Sequence, residues 1–159
     1  MKVEWMNHTS FVVRDMERTL AFYCDTLGFR EERNAVIEGE RISRLTGLPG
    51  ARLHAIVLGI GDTRHAIELL QYHEPAGVGD GEHGPLNRIG CAHLGFIVDD
   101  IDAFHEKLSS EGIRFVNPPA ITHGAKYPWA RKSCYLQDPE GNWLEFIERD
   151  PPPLGTTVC

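Results

Sequence analysis

Four residues in this chain are of types that bind metal ions, and they sit where an apolar strand would not choose them. His8 opens the run "HTSFVV" and His93 opens "HLGFIV". Glu68 lies between Ile67 and Leu69, and Glu145 lies between Leu144 and Phe146. A carboxylate in the middle of such a strand is costly unless something compensates its charge. Taken singly, each residue has an ordinary explanation. A strand histidine is commonly a hydrogen-bonded core residue, and a strand glutamate commonly faces solvent at an edge. Taken together, in matching places, two imidazoles and two carboxylates would offset one another's cost by sharing one divalent cation. Neutral imidazole with carboxylate suits zinc, nickel, cobalt, manganese or iron(II), and the residue types do not separate these.

The elements that must position the four residues are written twice. "NHTSFVVRDMERTL" at the start returns as "AHLGFIVDDIDAF" from residue 92. One offset maps His8 onto His93, Phe11 onto Phe96, Val13 onto Val98 and Asp15 onto Asp100. Each copy reads as a short strand, an aspartate N-cap and a helix closed by glycine, Gly28 or Gly112. Leu20, Phe22, Tyr23 and Leu27 form the apolar stripe of the first helix. Between cap and glycine the second copy is one residue shorter. Alternation puts His8 on one strand face with Ser10, and His93 on one face with Gly95, so small neighbours leave room before both histidines. Phe11 and Phe96 then point the other way, towards the helices.

Each half closes on a glutamate-bearing strand, residues 65–72 and 142–148. The segment "DPEGN" at 138–142 reads as a tight turn between two strands. Each half is therefore strand, helix and about three strands, a duplicated unit. The expected organisation is one domain over residues 1–150, built of modules at about 5–72 and 90–148. A glycine- and proline-rich linker occupies 73–89, and a tail that cannot extend a helix or central strand occupies 151–159. Residues 34–50 read as a long connection with a short helix around 39–46, and such a loop is a candidate lid or specificity element. The other histidines, His54, His65, His73, His83 and His105, have no matching partner in the repeat and read as ordinary.

Composition excludes several classes. The chain has 159 residues, 42% hydrophobic and 25% charged, enough for a sizeable core. A net charge of −7 argues against a nucleic-acid partner, which needs a basic patch. A small anionic substrate remains compatible, since it needs only a few local cations. No apolar run approaches the length of a membrane span, and "MKVEWMNHT" lacks the apolar core of a secretory signal. Cys24, Cys91, Cys134 and Cys159 form no paired motif and read as reduced thiols, so a cytoplasmic setting is expected.

The repeat, the opening "NHTSFVVRDMERTLAFYCDTLGF" and the close "CYLQDPEGNWLEFIE" together resemble the vicinal oxygen chelate superfamily. That group includes glyoxalase I, methylmalonyl-CoA epimerase, extradiol dioxygenases and fosfomycin or bleomycin resistance proteins. The resemblance spans roughly residues 5–148 and identifies the superfamily, not one activity. It implies an α+β fold in which paired βαβββ modules form a cupped mixed sheet with helices outside. It also implies one divalent metal and a homodimer.

Carried over residue by residue, the ligands are His8, Glu68, His93 and Glu145, a set similar to that of glyoxalase I. That enzyme isomerises the hemithioacetal of methylglyoxal and glutathione. The resemblance implies that the cation polarises a carbonyl or hydroxyl, while Glu145, or else Glu68, moves the neighbouring proton. Arg33 falls where glyoxalases keep an arginine for the glutathione carboxylate. Its alternative is a solvated charge on a strand. Lys126 lies in "NPPAITHGAKYPWAR", 117–131, beside Tyr127 and Trp129, and would shape the other side of the pocket. The substrate is expected to be a small molecule: a thiol adduct, an acyl-CoA, or a 2-oxo or 2-hydroxy compound.

Three other readings are carried beside this one. A methylmalonyl-CoA epimerase-like isomerase is disfavoured because such enzymes usually have glutamine at the place of Glu68. An extradiol dioxygenase would use His123 and Tyr135 beside the metal, but Glu68 would fill a position its catechol needs. A non-catalytic small-molecule binding or resistance protein would need few of the four ligands.

Overall fold

The computed structural model describes residues 2–79, 81, 84–121 and 130–149, without the side chains of residues 130 and 131. The chain divides into two compact units, Met1–Glu82 and His83–Cys159. In the first unit β1 (His8–Val12) leads to α1 (Met16–Ala21), β2 (Arg30–Glu38), α2 (Glu40–Thr46), β3 (Arg52–Gly59) and β4 (Ala66–Glu74). The sheet order is β1-β4-β3-β2, with β1 parallel to β4 and the remaining pairs antiparallel.

Asp15 starts α1 as expected, its carboxylate accepting the Arg18 N–H at 3.0 Å. Met16, Thr19, Phe22 and Tyr23 are buried, whereas Leu20 and Leu27 of the expected stripe are only half-buried. The helix is not uniform to Gly28. After Ala21 it continues as a π-helical turn, Phe22–Thr26, closed by the Leu27 N–H on the Phe22 carbonyl at 3.1 Å. This wider turn takes up the residue by which the first copy of the repeat exceeds the second. Gly28 then ends the element at φ +79°, a conformation glycine adopts without steric cost.

Two boundaries differ from the sequence expectation. Residues 34–38 are not loop but the second half of β2, so the connection is shorter than expected. The expected short helix forms as α2 and seats Ile42 against Ala51, Leu53 and Ala55, flanked by Ile37, Leu48, Leu70 and Tyr72. Strand β4 also runs to Glu74, two residues into the segment expected as linker.

The second unit repeats the plan with β5 (His93–Val98), α3 (Ile101–Ser110), β6 (Ala120–Ile121), β7 (Ala130–Gln137) and β8 (Trp143–Arg149). Its order is β5-β8-β7-β6, with β5 parallel to β8. Asp100 caps α3 through the Ala103 N–H at 3.0 Å, and Glu148 accepts the Ile101 N–H at 3.0 Å. Both carboxylates thus meet the positive end of the helix. Phe146 stacks on Phe96 and on Phe104 of α3, at centroid distances of 5.4 and 4.6 Å. The 138–142 turn is tied by Asp138 Oδ1, which accepts the Glu140 and Asn142 N–H groups at 2.9 and 2.8 Å.

The architecture is therefore α+β: two four-stranded mixed sheets of like topology, each with a helix after its first strand. Among the described residues no helix is long and apolar enough to cross a membrane. Cys24, Cys91 and Cys134 are free thiols.

Candidate functional site

The alternation of β4 and β8 decides which side chains reach the open faces of the two sheets. Ile67 and Leu69 are buried, as are Leu144 and Phe146, so the glutamates between them turn to the opposite face. Cross-strand register then fixes their neighbours. His8 lies opposite Ala66 and Ser10 opposite Glu68, while His93 lies opposite Trp143 and Gly95 opposite Glu145. The offset between histidine and glutamate is the same in both units.

This register brings each histidine to its glutamate. His8 Nε2 is 3.5 Å from Glu68 Oε2, and His93 Nε2 is 3.3 Å from Glu145 Oε2. Both imidazoles are 43% exposed, and the glutamates are 23% and 18% exposed, so each pair is open on one side. Two donors each about 2.1 Å from an ion are separated by roughly 3.0–3.5 Å when they subtend an angle between square and tetrahedral. The pairs fit a divalent cation in donor chemistry and in spacing. Among the described residues no group of three or more histidine, cysteine, aspartate or glutamate side chains gathers, so each unit offers a pair.

The surroundings of the two glutamates differ. Ser10 Oγ donates to Glu68 Oε2 at 2.6 Å. Sequence reasoning gave Ser10 only the part of a small neighbour. The signal was available in the repeat, where Ser10 of the first copy corresponds to Gly95 of the second. Beside Glu145 stands Tyr135 instead, at the facing register position on β7, with its hydroxyl under the influence of the carboxylate. The Tyr135 ring also meets His93 edge-on at 5.4 Å. Burial first, then the hydrogen-bonding influence and the charge of Glu145, push the Tyr135 hydroxyl up to about 12. Tyr135 is therefore a neutral donor at physiological pH. Burial, with Glu145 second, pushes the Cys134 thiol up to about 11, which makes it an unreactive core residue.

Arg33 shares the open face of the first sheet. The register runs Ser10, Glu68, Val57, Arg33, so Arg33 is two strands from Glu68, roughly 10 Å across the sheet. A bulge between Glu31 and Arg33 sets its side. His123 and Lys126, with Tyr127 and Trp129, lie outside the described residues. The histidines expected to be ordinary have other partners: His54 meets Asn34 Oδ1 at 2.6 Å, His65 meets Thr9 Oγ1 at 3.0 Å, and His105 packs on Phe115. His83 lies outside the described residues.

A fold of two βαβββ units with a histidine–glutamate pair on each defines a class, and the comparisons with known proteins agree with it. The chain belongs to the Glyoxalase/Bleomycin resistance protein/Dioxygenase superfamily, whose family model matches residues 5–146. It is 25% identical over 145 residues to the uncharacterized protein YwbC of Bacillus subtilis, covering 91% of this chain and 97% of that one. It is 30% identical over 142 residues to a lactoylglutathione lyase of Haemophilus influenzae, covering 89% and 90%. Among solved structures, a glyoxalase family protein from Bacillus cereus superposes with a TM-score of 0.82 at 25% identity, covering 95% and 97%.

Proposed function

We propose that the chain is a metal-dependent lyase or isomerase of the glyoxalase I type. His8, Glu68, His93 and Glu145 hold one divalent cation, and the reaction moves a proton between adjacent carbons of a small substrate. The observation that carries this reading is the recurrence of one histidine–glutamate pair at one register in both units. The lactoylglutathione lyase relative supports it.

When bound, the cation polarises the substrate's carbonyl oxygen and lowers the cost of the charge left when a neighbouring C–H loses its proton. The residues of the chain do the rest. Glu145 takes the proton from the carbon bearing sulfur in a hemithioacetal and returns it to the adjacent carbon. Hydroxyl and carbonyl exchange places, so the change is an isomerisation that needs no redox partner. Arg33 offers a cation on the Glu68 face for a substrate carboxylate, and Lys126 and His123 complete the proposed substrate contacts. A homodimer in the cytoplasm is part of the same proposal.

The test is proton exchange. Cobalt- or nickel-loaded protein is incubated in deuterated buffer with the hemithioacetal of methylglyoxal and glutathione. Deuterium uptake with formation of the thioester is the expected result, and a fully metallated protein that gives neither contradicts the reading. One observation favours a second reading: Tyr135 beside both His93 and Glu145 is what an extradiol dioxygenase requires. Oxygen uptake with a catechol on the iron(II)-loaded protein separates the two.

A further inference from the structure

We propose that Ser10 and Gly95, which hold matching places in the two units, divide the work of the two glutamates. Ser10 fixes Glu68 beside His8, where it would serve as a ligand, and the missing hydroxyl at Gly95 leaves the Glu145 side chain free to move and carry the proton. The proposal rests on the metal-dependent reading above and adds which residues make the pseudo-equivalent ligands unequal.

Ser10 stands directly opposite Glu68 and on the strand that carries His8. Its hydroxyl donates at 2.6 Å to Oε2, the same oxygen that lies 3.5 Å from His8 Nε2. A carboxylate oxygen has two lone pairs, so Oε2 accepts from Ser10 with one and keeps the other for an ion. Anchor and imidazole belong to one short strand, which fixes the pair as a unit. Partners of this kind orient ligands and raise metal affinity.

The second unit reverses the arrangement. Gly95 stands opposite Glu145 and offers no donor. The hydroxyl-bearing residue facing Glu145 in the register is Tyr135 on β7, on the other side of β8 from the strand that carries His93. The matching place in the first unit is Val57, which has no hydrogen-bonding group. The two histidine–glutamate distances are alike, 3.5 and 3.3 Å, and what differs is the strand that supplies a hydroxyl beside each glutamate: β1 for Glu68 and β7 for Glu145. A displaced Glu145 finds a donor waiting, and a displaced Glu68 finds none at the matching place. Nothing in the backbone demands glycine at 95. Its φ is not positive, and an added Cβ would meet only Ile147 Cδ1, at 3.9 Å. The position accepts a side chain, which makes it directly testable.

Cobalt(II) affinity by chelator competition, and deuterium exchange of the methylglyoxal–glutathione hemithioacetal, are measured for wild type, Ser10→Ala, Gly95→Ser and Gly95→Ala. Ser10→Ala is expected to weaken cobalt binding by about tenfold, the lower end for such supporting partners. Gly95→Ser is expected to bind cobalt at least as tightly as wild type and to exchange several-fold more slowly. Gly95→Ala, which adds bulk without a donor, is expected to slow exchange less than Gly95→Ser does, and an equal slowing by both would overturn the role given to the missing hydroxyl. Unchanged cobalt affinity in Ser10→Ala, or unchanged exchange in Gly95→Ser, overturns the proposal. A wild type that binds no cobalt overturns the metal reading itself and the anchor with it. A wild type that binds cobalt but exchanges no proton overturns the isomerase and the role given to Glu145, and the Ser10→Ala affinity then decides the anchor alone.

Discussion

At the scale of single residues, a histidine and a glutamate 3.3–3.5 Å apart on an open sheet face would add little to stability as an ion pair. Their recurrence at one register is better explained by a shared ligand than by folding. Glu145→Gln keeps the size and one acceptor oxygen of the side chain but removes the base. Proton exchange is expected to fall by roughly 10²–10⁴-fold, with much of the metal retained. Exchange at the wild-type rate in a fully metallated Glu145→Gln protein would remove Glu145 from that role. The four residues of the two pairs were legible in the sequence as candidates because strand alternation and the repeat both point to them. The part played by Ser10 was not, since a serine on a strand is unremarkable until its neighbour across the sheet is known.

At the scale of elements, the caps and the packed insert carry the predictions. Asp100→Ala removes the acceptor for the Ala103 N–H, with an expected loss of about 1 kcal/mol in urea unfolding. Ile42→Ala empties the seat of α2 on Ala51, Leu53 and Ala55, with an expected loss of about 2 kcal/mol or more. No change in stability for Ile42→Ala would mean that α2 is not packed as described. Both main helices and their capping aspartates were legible from periodicity. The π-helical turn was legible only as a count, one residue too many between Asp15 and Gly28. How a chain absorbs an extra residue is settled by hydrogen-bond geometry that residue types do not encode. The full length of β2 was hidden because its first five residues, "REERN", are all exposed and charged or polar, without the alternation that marks a strand.

At the scale of the whole molecule, each half carries one histidine–glutamate pair, and the proposed ion would take its ligands from both. An ion bound only by the folded chain at a hundredfold excess over its Kd adds about 2.7 kcal/mol of stability. For a chain of this size, chelation is then expected to lower Tm by roughly 5–10 °C. A Tm indifferent to chelator would argue that the loaded ion is not held by the folded structure.

The most direct test of the shared ion is metal content after cobalt loading and desalting, for wild type, His8→Ala and His93→Ala. Four ligands around one ion predict about one cobalt per chain in wild type and loss of most of it in either variant, with folding intact by circular dichroism. Two cobalt ions per wild-type chain with one kept in each variant would mean independent sites. A wild type that retains no cobalt would contradict the metal reading outright.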